Sequence, residues 1–184
     1  MNILITGAKG FIGKNLIAQL KNIKEGKAKE ERISSDLTLL KYDIDTEPAL
    51  LDEYCRIADF VFHLAGVNRP KEQSEFMEGN FGFTSTLLDT LKKYGNKCPV
   101  MLASSIQAEL DNPYGLSKKA GEELLFRYSE ETGAKVYVYR FPNVFGKWCR
   151  PNYNSVVATF CYNIARYLPI QVNDPKVQMT LVYI

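Results

Sequence analysis

The sequence predicts an α/β fold: a doubly wound parallel sheet with helices on both faces. Three observations carry that expectation. Short apolar runs without polar alternation recur along the chain, as strands covered on both sides require. Helix-length amphipathic segments separate them. A glycine-rich turn, Thr6-Gly7-Ala8-Lys9-Gly10-Phe11-Ile12-Gly13, joins the first apolar run to the first helical segment.

Taken in order, Asn2–Thr6 is a strand built on Ile3-Leu4-Ile5, and Phe11–Asn22 is the helix that follows the glycine turn. After an insertion over Lys24–Asp36 come a strand at Leu37–Tyr42, a helix at Pro48–Ile57 and a strand at Phe60–Leu64. A long helix over Glu75–Tyr94 stops at Gly95, and Val100–Ser104 is the fourth strand. The helix Tyr114–Thr132 carries Leu116, Ala120, Leu124 and Tyr128 on one stripe and stops at Gly133, before a strand at Val136–Phe141. Ser155–Tyr167 reads as a further helix, followed by strand-like Ile170–Val172 and Val177–Ile184. The last run meets the end of the sequence without a turn or polar tail. The expectation is one Rossmann-type domain over residues 1–184, with about 143–184 the start of a truncated substrate-binding region.

A net charge of +2 is too mild for a nucleic-acid or anionic-membrane surface. The basic run Lys21 to Arg32 is interrupted by Glu25, Glu30 and Glu31 and reads as a solvated loop or helix end. Strand-like sequence from Asn2 leaves no room for a signal peptide, and no apolar stretch spans a bilayer, so a cytoplasmic protein is expected. Cys55, Cys98, Cys149 and Cys161 are scattered, as reduced thiols are. With His63 the one histidine, neither a histidine-based metal site nor a Ser-His triad is expected.

The glycine turn suits a dinucleotide. Gly7, Gly10 and Gly13 allow a tight turn, close backbone approach to a diphosphate and helix packing, with Lys9, Phe11 and Ile12 completing the contact. The helix start supplies N–H groups and a positive dipole end. Asp43, after the second strand, suits a ribose 2′-hydroxyl and so NAD(H). Lys9 and Lys41 suit a 2′-phosphate, and the reading leans to NADP(H). Further on, Tyr114 and Lys118 lie one helical turn apart on one face, with Ser105 upstream. A cation beside a phenol favours the phenolate, making a proton donor matched to ketone reduction. Ser105 orients the carbonyl oxygen, with Ser104 the alternative.

These features, with His63-Leu64-Ala65-Gly66, Asn80 and Arg140-Phe141-Pro142-Asn143-Val144-Phe145-Gly146 in order, resemble the extended short-chain dehydrogenase/reductase superfamily, in its NAD-dependent epimerase/dehydratase group. A narrower resemblance is to bacterial capsular-polysaccharide reductases of the UDP-N-acetyl-L-fucosamine pathway. It is carried by Ala65-Gly66-Val67-Asn68-Arg69-Pro70, Ser104-Ser105-Ile106-Gln107-Ala108, Asp111-Asn112-Pro113-Tyr114-Gly115 and Gly146-Lys147-Trp148-Cys149-Arg150-Pro151-Asn152-Tyr153-Asn154-Ser155. That resemblance implies NADPH-dependent reduction of the C4 ketone of a UDP-2-acetamido-2,6-dideoxy-hexulose. It also implies a separate C-terminal cupin carrying a metal-dependent C3 epimerase, which this sequence does not contain. Leu64, Ala65 and Gly66 are then cofactor contacts, and Lys118 also holds the nicotinamide ribose. Asn68, Ser105, Asn143, Lys147, Arg150 and Asn154 are candidate substrate contacts, and Asn80 shapes the site backbone. A homodimer through the helices after the third and fourth strands is the implied assembly.

For Asn143 a strand-capping role stands beside the substrate role, as solvent exposure does for Lys147, Arg150 and Asn154. Trp148 and Tyr153 suit either sugar packing or loop anchoring, and His63 reads as structural. Phe81, Phe83, Leu87, Leu88 and Leu91 read as core or dimer packing. Relatives often place Arg-Asp where Met179-Thr180 stand, which puts the diphosphate clamp elsewhere. Related 4,6-dehydratases carry Thr-Asp-Glu where Ser105-Ile106-Gln107 stand, so elimination of water is not expected. A reductase is the reading taken. A nucleotide-sugar 4-epimerase with tightly held NAD and a non-catalytic dinucleotide-binding module are the alternatives.

Overall fold

The computed structural model describes residues 1–30, 33 and 35–184; Glu31 and Arg32 of the basic run, and part of the Lys24–Asp36 insertion, lie outside the described residues. The chain divides into two compact units, Met1–Arg140 and Phe141–Ile184.

The first unit runs β1 (Asn2–Thr6), α1 (Phe11–Lys24), β2 (Thr38–Tyr42), α2 (Ala49–Ile57), β3 (Phe60–His63), α3 (Ser74–Phe76), α4 (Phe83–Lys93), β4 (Val100–Ser105), α5 (Pro113–Thr132) and β5 (Val136–Phe141). The strands lie in the order β2-β1-β3-β4-β5, and β1 pairs in parallel with both β2 and β3, as β3 does with β4. The strand order therefore reverses between β1 and β3, where ligands of open α/β sheets bind. Strand β1 explains the missing polar alternation. Leu4 joins Val61, Leu87, Leu91, Leu102, Leu125 and Tyr128 in one core, while Ile3 and Ile5 join Leu20, Ile23 and Leu37 in the other. Both faces of the sheet are covered.

The start of α5 is fixed locally. Asn112 Oδ1 accepts from Gly115 N at 2.9 Å, Pro113 sits in the first turn, and Gly133 takes φ 76° past the end.

Four sequence expectations need correction. The helix expected over Glu75–Tyr94 is interrupted by a π-helical turn at Met77–Gly82, whose extra residue lets Phe83 N–H bond Glu78 O five residues back. The stripe expected on α5 matches the buried face only at Tyr128: Leu116 is 49% exposed and Ala120 and Leu124 are half-buried, while Gly115, Lys118, Gly121, Glu122 and Leu125 face inward with Tyr128. Ile170–Val172 is irregular, and Val177–Ile184 contracts to a three-residue strand, β7 (Leu181–Tyr183). Edge strand β5 is not covered on both sides, since Tyr137 and Tyr139 are exposed.

In the second unit, β6 (Asn143–Phe145) pairs in parallel with β7. The helix expected over Ser155–Tyr167 is α6 (Val156–Ile164), with Ser155 Oγ accepting from Ala158 N at 3.3 Å as its cap.

Candidate active site

At the reversal point, the turn after β1 is pressed against the chain leaving β3. Gly7 has φ 67°, and a Cβ there would lie 2.7 Å from Ala65 N and 2.8 Å from Leu64 C. Only glycine satisfies both demands. Gly10 then caps α1 without a side chain to bond the first-turn N–H groups, and that turn holds no acidic residue. A helix start of this kind favours an anion such as a diphosphate. Gly13 is buried in the first turn, and Phe11 and Ile12 are half-buried beside it. Asp43, just past β2, accepts from Lys9 N at 2.7 Å and from Ile44 N at 2.9 Å. The Lys9 ammonium is paired with Asp45.

Beneath the mouth runs a hydrogen-bond chain whose direction can be worked out. Thr84 Oγ1 donates to Asn80 O at 2.5 Å, because a carbonyl only accepts. Thr84 Oγ1 must therefore accept from His63 Nε2, 2.8 Å away. Burial holds the His63 imidazole neutral, its pKa pushed down to about 3. Its Nδ1 is then the acceptor for the Thr6 hydroxyl at 2.7 Å, and Thr6 Oγ1 accepts from Ala65 N at 3.3 Å. The chain joins β1, β3 and α4 and fixes one tautomer. His63 is structural, and Thr6 and Thr84 are its partners.

Lys118, 7% exposed, donates from Nζ to Ala103 O at 3.1 Å and lies 5.9 Å from the Tyr114 ring centroid. Burial lowers its pKa to about 8, against the opposing pull of Glu122. Tyr114 differs from expectation. Burial raises its pKa, and the relief comes from a hydrogen bond with Ser105 rather than from Lys118. Ser104 points elsewhere, donating to the buried Glu122 carboxylate, and of the two serines it is Ser105 that meets Tyr114.

Gly66 links this group to the cofactor mouth. A Cβ there would lie 3.0 Å from Lys118 Nζ and 2.7 Å from Asn80 Oδ1. Asn80, delivered by the π-helical turn, accepts from Val67 N at 2.9 Å and donates to Val67 O at 3.1 Å and Ser117 Oγ at 3.0 Å. It thereby clamps the loop after β3 onto α5. Asn68 is exposed on that loop.

Four substrate candidates belong to the second unit. Asn143 begins β6 and donates from Nδ2 to Thr180 O at 3.3 Å, the strand-tying role. Lys147 Nζ lies 4.5 Å from the Trp148 ring centroid and the Arg150 guanidinium 5.3 Å from that of Tyr153. Asn154 is exposed. Trp148 and Asn152 have φ 65° and 53°, so this loop turns sharply at non-glycine residues.

Sequence reasoning missed Glu122, one turn beyond Lys118, and gave Arg140 no role. Their spacing and opposite charges were visible, but nothing in the sequence showed that both meet beside Ser104. Among the described residues no acidic, histidine or cysteine cluster could hold a metal ion, and no helix is long and apolar enough to cross a membrane.

Comparison with known proteins gives the family. Across its full length the chain is 48% identical to a Pseudomonas aeruginosa protein named UDP-2-acetamido-2,6-beta-L-arabino-hexul-4-ose reductase, covering 46% of that relative. It is 27% identical over 190 residues to UDP-glucuronate 4-epimerase 3 of Arabidopsis thaliana, with 82% of this chain and 44% of that one aligned. Among solved structures, the capsular polysaccharide assembling protein CapF of Staphylococcus aureus superposes with TM-score 0.83 at 49% identity, over 100% of this chain and 45% of CapF. The chain thus spans less than half the length of these relatives. The model of the NAD dependent epimerase/dehydratase family matches residues 3–184, and the chain belongs to that family.

Proposed function

We propose that this chain provides the nicotinamide-binding and proton-donating half of a reductase acting on the C4 ketone of a UDP-2-acetamido-2,6-dideoxy-hexulose. The observation that carries the reading is the contact path from Gly7 to Ala65, through Gly66 to Lys118, with Tyr114 one turn away. It sets a proton donor beside a dinucleotide mouth. The glycine cradle that a Cβ would fill and the uncapped α1 start fit a nicotinamide dinucleotide, which when bound supplies the hydride. Ser105 orients the ketone oxygen, and Tyr114 gives that oxygen its proton. The Ser105 hydrogen bond favours the phenolate left behind, and the Lys118 ammonium holds the nicotinamide ribose. The names of the Pseudomonas and Staphylococcus relatives support a 4-keto sugar and capsule assembly. In the second unit, Lys147 and Arg150 offer cations for a diphosphate.

For the cofactor we favour NAD(H) over NADP(H): Lys9 is engaged by Asp45, and the Asp43 carboxylate, bonded to Lys9 N in the glycine turn, would oppose a ribose 2′-phosphate held nearby. We place the activity in the cytoplasm, in keeping with four free cysteines, with pairing of two copies through α4 and α5 as the assembly.

The test offers the purified protein a UDP-2-acetamido-2,6-dideoxy-4-hexulose with NADH or NADPH and follows nicotinamide oxidation and the product alcohol. Stoichiometric oxidation is expected. Interconversion of C4 epimers without consumption of external reductant would replace the reductase with an epimerase, and binding without turnover would leave a dinucleotide-binding module.

A further inference from the structure

The last three residues of β4 meet three residues of α5 spaced four apart. Ser105 meets Tyr114, Ala103 O accepts from Lys118, and Ser104 donates to Glu122. Two of these rungs belong to the site described above. The third has no role in it, yet it is the most elaborately held. Glu122 is 2% exposed and takes Arg140 Nε at 2.9 and 3.2 Å and Nη2 at 2.6 Å. The same guanidinium reaches Glu109 at 2.9 Å through Nη1, and Glu109 closes the 3-10 turn that begins directly after Ser105.

We propose that Glu122 is a positioning residue: clamped by Arg140, it sets the register of Ser105 against α5 and holds Lys118 in its ammonium form. The proposal rests on the reductase reading for its consequence in catalysis but not for its geometry. Burying a carboxylate is costly unless it is paired. Burial opposes the charged form, yet the hydrogen bonds of Arg140 and Ser104 hold the Glu122 pKa below the ordinary carboxylate range. A carboxylate kept charged at this depth acts on whatever cation lies one turn away on its own helix, and that cation is Lys118. The other groups facing Lys118 are the Tyr114 phenol and the neutral His63 ring; Arg140 and Glu109 stand beyond Glu122. Beside the Ala103 carbonyl that accepts its hydrogen bond, Glu122 is, among the described residues, the one anionic side chain that favours the ammonium.

The test reads Lys118 directly, by NMR titration of isotope-labelled lysine assigned with Lys118→Arg. In Glu122→Gln the Lys118 midpoint should fall from its value near 8 by roughly one pH unit, the effect of losing a nearby opposite charge. In Arg140→Gln, which removes a positive charge and leaves the carboxylate, it should move upward. Opposite movements are not produced by general loosening. An unmoved midpoint in a folded Glu122→Gln protein overturns the proposal. Should that variant fail to fold, an unmoved or lowered midpoint in Arg140→Gln does the same. The alkaline limb of turnover should follow each midpoint, and Glu122→Asp should restore it in part. A fixed limb with moving midpoints overturns the inference, whereas an inactive wild type with moving midpoints upholds Glu122 and removes the reductase.

Discussion

Burial raises the pKa of Tyr114, which keeps the phenol protonated and ready to give its proton but makes it a weaker acid than a free phenol. The Ser105 hydrogen bond works the other way and eases the proton's departure. Tyr114→Phe should cut turnover by about 10²–10⁴-fold, the usual worth of a positioned acid, with dinucleotide binding retained by fluorescence titration. Unchanged turnover would remove the phenol from the chemistry. Lys118 couples pH to two observables with opposite signs. Its folded pKa is about 8 against an ordinary 10.5, so between these values the unfolded chain holds the extra proton. Its stability contribution is fully present above 10.5 and lost as pH falls through about 8. Turnover, which needs the ammonium, should instead decline above about 8. Urea midpoints and rates across that range would show both. Asp43→Ser should shift the ratio of kcat/KM for NADPH over NADH upward by about tenfold or more, since one lost repulsion of ~1.4 kcal/mol is a factor of ten; no change would leave Asp43 as a loop anchor.

Elements, more than residues, decided what could be read from the sequence. Strand β1, the glycine turn and α1 were legible because glycine spacing and apolar run state one local geometry. The grouping of Tyr114 with Lys118 and Ser105 was legible through spacing and order, and the structure brings the three together. The inner face of α5 was not: it is lined by Gly115, Lys118, Gly121 and Glu122, and an apolar-stripe argument selects the flank when the inward side chains are small or charged. The π-helical turn escaped as well, because one extra residue in a turn leaves no compositional trace. Both features converge on Gly66. Gly66→Ala would drive a methyl against Lys118 Nζ and Asn80 Oδ1, at 3.0 and 2.7 Å, and should lower turnover by at least tenfold, about 1.4 kcal/mol in the barrier, with thermal unfolding nearly unchanged. A fully active variant would show that the loop after β3 yields freely.

At the scale of the whole molecule, the units differ in how they are held. The first has two cores, whereas α6 and β7 of the second bury no residue, and Tyr167 is 99% exposed. Hydrogen exchange should therefore find β1, β3 and β4 amides protected at the global unfolding free energy. Those of β6 and β7 should exchange much faster, through local opening. Equal protection would mean that the two units unfold together. Acid should act through the first unit: His63 titrates near 3 when folded and near 6.5 when not, so its stabilising contribution is complete above 6.5 and drains away toward 3. With the chain's one imidazole locked between two threonine hydroxyls, the pH interval in which enzymes ordinarily borrow a histidine passes here without one. A proton given up by Tyr114 could not be replaced from an imidazole of this chain, and Lys118 is the ionisable side chain beside its ring.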